Sequence, residues 1–149
     1  MHIAFGADEQ THLTDVLVAD LRRRGHVVSV HGPPGGEALG WAEVAGAVAE
    51  QVAAGTAEQA VLCCWTGTGV TIAANKLPGV RAALCGDAET AGGARMWNDA
   101  NVLCLSLRAV SDTIAREILD AWFAVTEPDP SEAANIERVR MLDRARGQL

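Results

Sequence analysis

The chain has 149 residues, 49% of them hydrophobic, which suits one globular domain with a substantial core and not a disordered polymer. A formal charge of −7 without clustered Lys and Arg argues against nucleic acid as a partner. No apolar stretch approaches membrane-spanning length and residues 1–6 show no basic-then-apolar leader, so the expectation is a cytoplasmic protein with no membrane partner.

Strand-like and helix-like segments alternate along the chain. His2–Gly6 is a short apolar run. Leu13–Arg24 carries Leu13, Val16, Leu17 and Leu21 at helical spacing and is stopped by Gly25. Val27–Val30 reads as a second strand, closed by a Gly/Pro-rich loop, and Trp41–Ala54 as an alanine-rich helix. Ala60–Cys64 is the third strand, followed by a glycine turn and a short helical stretch, Val70–Asn75. Val80–Cys85 and Val102–Leu105 are the fourth and fifth strands, flanking a helix at Ala88–Met96. Ser111 is the expected N-cap of a helix running to Val125. After Glu127-Pro-Asp-Pro130, a charged helix runs from Ser131 to about Arg146.

Strands separated by helices, and mostly apolar instead of alternating, predict a parallel sheet covered on both faces. The expected architecture is α/β, a Rossmann-like three-layer sandwich with five parallel strands. Residues 1–126 form the sandwich and 127–149 a helical arm of the same domain. That arm, with one apolar stripe and one basic side, either packs on a partner subunit or closes its own domain. Ligands of such sheets bind beyond the carboxyl ends of the strands. Asp8, Cys64, Asp87 and Ser106 all follow a predicted strand and are expected on that rim.

The four cysteines lack C-x-x-C spacing, so no metal site is expected, and Cys85 and Cys104 read as small buried hydrophobes. Cys64 differs because it directly precedes the glycine turn. There a helix N-terminus leaves main-chain N–H groups free to hold a negative charge, beside a thiol that acts as a base once deprotonated. The turn is not a P-loop, since Lys76 lies seven residues beyond Gly69 and is followed by leucine. Nor is it a dinucleotide fingerprint: Gly67-Thr-Gly69 has no third glycine and follows the third strand instead of the first.

Thr66-Gly-Thr-Gly69, Ile72-Ala-Ala-Asn-Lys76, Gly79-Val-Arg-Ala82, Ile3-Ala-Phe-Gly-Ala-Asp8, Asn98-Asp-Ala-Asn-Val-Leu103, Ser106-Leu-Arg108 and Ala121-Trp122 together resemble the ribose-5-phosphate isomerase B family, which includes the galactose-6-phosphate isomerase subunits. The resemblance implies an aldose–ketose isomerase that works through an enediolate without metal or organic cofactor. It places the base on Cys64 and the anion hole on the amides of Gly67, Thr68, Gly69 and Val70. Thr66, Asp8 and Asn98 would position the sugar, and Arg108 and Arg138 would hold its phosphate. It also implies a homodimer or a dimer of dimers, each site completed by the partner chain.

Several rim positions depart from the family pattern. Glu9 and Trp97 stand where the family has histidines, and Trp65 where it has glycine. Ala134 replaces a partner of Arg138, Asn135 replaces a histidine, and Gly40-Trp41 replaces a Tyr-Pro pair. These changes imply an altered substrate preference, with a different or absent phosphate. Trp41, Trp65 and Trp97 surround the sugar, or Trp41 and Trp97 fill the dimer interface. His12 is either a surface residue or a substitute proton donor. The rival expectation is a non-catalytic subunit or a sugar-binding module on the same scaffold.

Overall fold

A computed structural model describes residues 1–146. Strands β1 (His2–Ala7), β2 (Val27–His31), β3 (Gln59–Cys64), β4 (Ala82–Leu84) and β5 (Val102–Ser106) form one parallel sheet in the order β2-β1-β3-β5-β4. From β1 the chain steps outward to β2, then crosses back past β1 to β3. Right-handed crossovers in opposite directions place their helices on opposite faces. Helices α1 (His12–Arg23), α4 (Ala88–Asn98) and α5 (Asp112–Ala124) accordingly cover one face, and α2 (Trp41–Ala53) and α3 (Thr68–Ala74) the other. The winding reverses between β1 and β3, which opens a crevice at their carboxyl ends. Asp8 and Cys64 stand at that crevice, as the strand order predicts.

Strand side chains alternate between the two layers. Ile3, Phe5, Val61, Cys63 and Leu105 pack toward α1, α4 and α5, whereas Ala4, Leu62, Cys64 and Cys104 pack toward α2 and α3. The adjacent Cys63 and Cys64 therefore enter different layers. Burial pushes the Cys63 thiol well up, Cys85 to about 11 and Cys104 to about 12, so these three stay protonated at neutral pH. All four cysteines are free thiols.

The element boundaries differ from expectation where side chains intervene. β4 begins at Ala82 because the Val80 N–H turns back to the Leu77 carbonyl (3.2 Å) and Asn101 Oδ1 accepts from the Arg81 N–H (2.8 Å). α3 starts at Thr68, two residues early. Residues Pro130–Glu132 form a 3₁₀ turn, capped by Asp129, ahead of α6 (Ala133–Arg146). α6 touches its own domain through buried Ile136, an Arg140–Asp99 ion pair (3.0 Å), and a hydrogen bond from the Gly79 N–H to Asp143 Oδ2 (2.9 Å). Its apolar stripe stays uncovered: Val139 is 44%, Met141 57% and Leu142 65% exposed. Among the described residues no helix is long and apolar enough to cross a membrane.

One buried charge knits the end of α1. Asp20 accepts from Arg23 and from Arg24 Nε (2.6 Å), and Arg24 reaches on to Asp120 of α5 (2.6 Å). Burial alone would raise the Asp20 carboxyl, but the hydrogen bonds from Arg23 and Arg24 outweigh it and hold it below the usual carboxylate range. A depressed folded-state pKa contributes stability above the unfolded value, lost as pH falls through the folded one. Asp20→Ala is expected to cost roughly 3 kcal/mol near neutral pH and to shrink that acid-side loss, checked by urea titrations at pH 7 and pH 3.

Candidate active site

β3 ends at Cys64, and the chain turns through Trp65, Thr66 and Gly67 into α3. Gly67 caps the helix at φ +76°, in the left-handed region. A Cβ there would lie 2.5 Å from Leu84 Cδ1 and 3.0 Å from the Leu105 main chain, so only glycine fits. The turn after β5 clamps this junction from the side. The Leu107 N–H donates to the Cys64 carbonyl (3.0 Å), while the Arg108 N–H (3.0 Å) and Ser106 Oγ (2.9 Å) both donate to the Trp65 carbonyl. Within the junction Thr71 Oγ1 donates to the Gly67 carbonyl (2.7 Å), and the Thr66 and Thr68 hydroxyls share a hydrogen bond (2.8 Å). The N–H groups of Gly67, Thr68, Gly69 and Val70 find no acceptor among the described residues, as expected of a helix start.

Asp8, Trp41, Cys64, Trp65, Thr66, Thr68 and Gly69 line a cleft of about 350 Å³, within the size range of small-molecule sites. Gly67 and Val70 are buried and do not line it. Asp8 Oδ1 is buried yet has no hydrogen-bond partner among the described residues, a costly state that a ligand hydroxyl would relieve. Trp41 packs against Gly69, its Cε3 only 2.9 Å from where a Cβ would stand. Trp65, 56% exposed, forms the lip. The two indoles are walls of the cleft and leave its interior open. The Cys64 thiol, a buried Asp8 oxygen lacking a donor and the uncommitted start of α3 at Thr68 and Gly69 thus border one small space.

The other expected residues lie outside this cleft in the single chain. Asn98 is exposed at the last position of α4. Trp97 folds over Gly93 and lines a separate groove beside Ala83 and Leu84. Glu9 is exposed next to Asp8. Arg108, in the turn after β5, and Arg138, beside Met141 and Leu142 on α6, are exposed and make no ion pair among the described residues. Of the four rim residues, Asp8 and Cys64 line the cleft. Asp87 instead caps α4 by accepting from the Thr90 N–H (2.7 Å), and Ser106 props the Trp65 carbonyl. His12 pairs with Asp112 at 2.7 Å on the surface. Among the described residues no three His, Cys, Asp or Glu side chains gather as a metal site.

One arrangement is invisible in the linear order. Three motif segments close on one another: the Asn75 side chain donates to the Ala82 carbonyl (2.9 Å) and accepts from its N–H (2.8 Å). Asn101 binds the Arg81 N–H (2.8 Å) and the Gly79 carbonyl (2.9 Å). The signal is present as asparagines in two of the motifs, but nothing in their spacing pairs them with Ala82 or Gly79.

The chain matches the family described as Ribose/Galactose Isomerase over residues 3–142. It is 34% identical over 145 residues to ribose-5-phosphate isomerase B of Escherichia coli, covering 97% of each chain. It is 33% identical over 141 residues to the D-erythrulose-4-phosphate isomerase of Pectobacterium atrosepticum, covering 93% of each. The solved ribose-5-phosphate isomerase B of Mycoplasma genitalium with bound ribulose-5-phosphate superimposes with a TM-score of 0.88 at 30% identity, covering 96% of both chains.

Proposed function

Because the chain belongs to the ribose/galactose isomerase family, we propose that it interconverts a short-chain aldose phosphate and its ketose through an enediolate, with Cys64 as the base. The observation that carries this reading is the convergence of Cys64, the unpartnered Asp8 oxygen and the free amides of α3 on one cleft. In the opened aldose the Cys64 thiolate removes the proton on C2. The C1–C2 bond gains double-bond character and the carbonyl electrons move onto O1. The amides of residues 67–70 hold that oxyanion. Transfer of the hydroxyl proton from O2 to O1 and return of the first proton to C1 complete the ketose, leaving Cys64 as it began.

Thr66 and Asp8 hold the sugar hydroxyls, and Asn98 lies near the reacting carbons. Arg108 and Arg138 take the phosphate, both being cations without a carboxylate partner among the described residues. Relatives named for five-carbon and four-carbon sugar phosphates support a substrate of that length. Trp65 at the lip, with Glu9 and Trp97 in place of family histidines, shifts preference away from ribose 5-phosphate. A homodimer fits the separation of the residues. Asn98 and Arg138 lie away from their own cleft, beside the uncovered Val139, Met141 and Leu142, and Trp97 lines a groove next to Asn98. A second copy burying that stripe would bring them to the neighbouring site. The protein then acts as a cytoplasmic enzyme whose residues 127–146 form an arm of the same domain, residues 147–149 of the expected arm lying outside the described residues.

The test is solvent deuterium uptake at C1 or C2, followed by NMR across a panel of aldose and ketose phosphates. No uptake with any of them, despite binding, would favour the second reading, a sugar-binding module whose indole-lined rim no longer opens the ring. For the phosphate, Arg138→Ala is expected to weaken binding of the preferred sugar phosphate about tenfold or more, as loss of a charge-assisted hydrogen bond does. In a thermal-shift titration its midpoint concentration should rise accordingly. Equal stabilisation of wild type by phosphorylated and free sugars would remove Arg138 from the phosphate site.

A further inference from the structure

The motif segment Asn98–Asn101 contains a residue that the reaction does not use. Asp99 follows Asn98 at the end of α4 and holds φ +50°, the one non-glycine residue with positive φ among the described residues. Asparagine and aspartate adopt this conformation at modest cost, and here the side chain is fully engaged. Three arginines from three parts of the chain converge on it. Arg81, just before β4, donates from Nε to the Asp99 carbonyl (2.6 Å) and from Nη2 to Oδ2 (3.1 Å). Arg140 of α6 donates from Nη2 to the same Oδ2 (3.0 Å). Arg95 of α4, itself buried, lies 3.9 Å from Oδ1 and donates to the Ala100 carbonyl (2.6 Å).

Asp99 is itself shielded, its side chain 18% exposed, and so is Arg81 at 16%. Charge-assisted hydrogen bonds in such surroundings are stronger and better oriented than those on an open surface. Their positions matter more than their strength. One residue before the carboxylate stands Asn98. Two residues before Arg140, on the same helix, stands Arg138. Besides Arg140, α6 meets the domain through buried Ile136 and through Asp143, which accepts from the Gly79 N–H.

We propose that Asp99 is a positioning residue that holds Asn98 and the Arg138-bearing helix α6 in a fixed mutual relation, so that amide and cation meet the sugar phosphate as one rigid unit. This rests on the reading that those two residues touch substrate. The two arms of the hub separate in experiment. Arg140→Gln releases α6 alone, and is expected to raise KM for the sugar phosphate about tenfold with kcat unchanged. Arg140→Lys should restore most of it. Asp99→Asn keeps the shape and the tolerance of positive φ but removes the charge. It releases both ends, so kcat should also fall about tenfold.

Hydrogen–deuterium exchange supplies a readout independent of turnover. Amides of residues 133–145 should exchange faster in both variants, and those around Asn98 only in Asp99→Asn, with the sheet unaffected. Unchanged exchange in α6, or an equal fall of kcat in Arg140→Gln, overturns the proposal. Kinetics use ribose 5-phosphate and D-erythrulose 4-phosphate as probes. If wild type turns over neither, the proposed reaction fails on these substrates, and the exchange pattern alone still decides whether Asp99 fixes the two elements.

Discussion

Cys64→Ala is expected to lower kcat by about 10²–10⁴, the contribution of a positioned general base, while leaving the fold and sugar binding nearly intact. All four cysteines are buried, but Cys64, 5% exposed, lines the cleft, whereas burial keeps Cys63, Cys85 and Cys104 protonated. Cys63→Ala is therefore the informative control. It removes a neighbouring buried thiol from the opposite layer of the sandwich, and should lower the melting temperature without touching kcat. Solvent deuterium uptake should disappear with Cys64→Ala and persist with Cys63→Ala. Retention of kcat within tenfold in Cys64→Ala would assign the base elsewhere, with the Asp8 carboxylate next in line.

Gly67→Ala is expected to damage the protein twice. Forcing an alanine to φ +76° and its Cβ against Leu84 and the Leu105 main chain costs on the order of 1–3 kcal/mol of stability. Any shift that relieves the clash moves the first amides of α3. Loss of one oxyanion donor typically costs about 10²–10³ in kcat. Gly25→Ala separates the two effects, because Gly25 has φ +87° with no atom within 4 Å of where its Cβ would stand, and lies between α1 and β2, away from the cleft. It should melt lower with kcat unchanged. A Gly67→Ala variant with full kcat would show that these amides do not stabilise the reacting oxyanion.

Much of the fold is readable because most strands are largely apolar runs, and α1, α2 and α5 each present one apolar face. The alternation of the two types is enough to imply a parallel sheet, and the position of Cys64 before Gly67-Thr-Gly69 marks the junction. Boundaries shift where distant side chains compete with local preference. Asn101 takes the Arg81 N–H and delays β4, an interaction between residues twenty positions apart. Asp87 and Ser106 follow strands as Asp8 does, yet cap a helix and brace a carbonyl. Position after a strand places a residue on the rim, but side-chain hydrogen bonding decides whether it faces the cleft.

By itself the sequence determined the layer order, the strand-to-helix turn with its amides and thiol, and the family, because all three depend on local conformation and on residue types at short spacing. Only the tertiary structure decided that Asp8 has an oxygen without a donor, that Trp41 walls the Gly69 side of the cleft, and that Asp99 gathers three arginines. Those facts arise from segments far apart in the chain meeting across the sheet and around its end. Burial and hydrogen-bond satisfaction are properties of that meeting, and no stretch of sequence contains them alone.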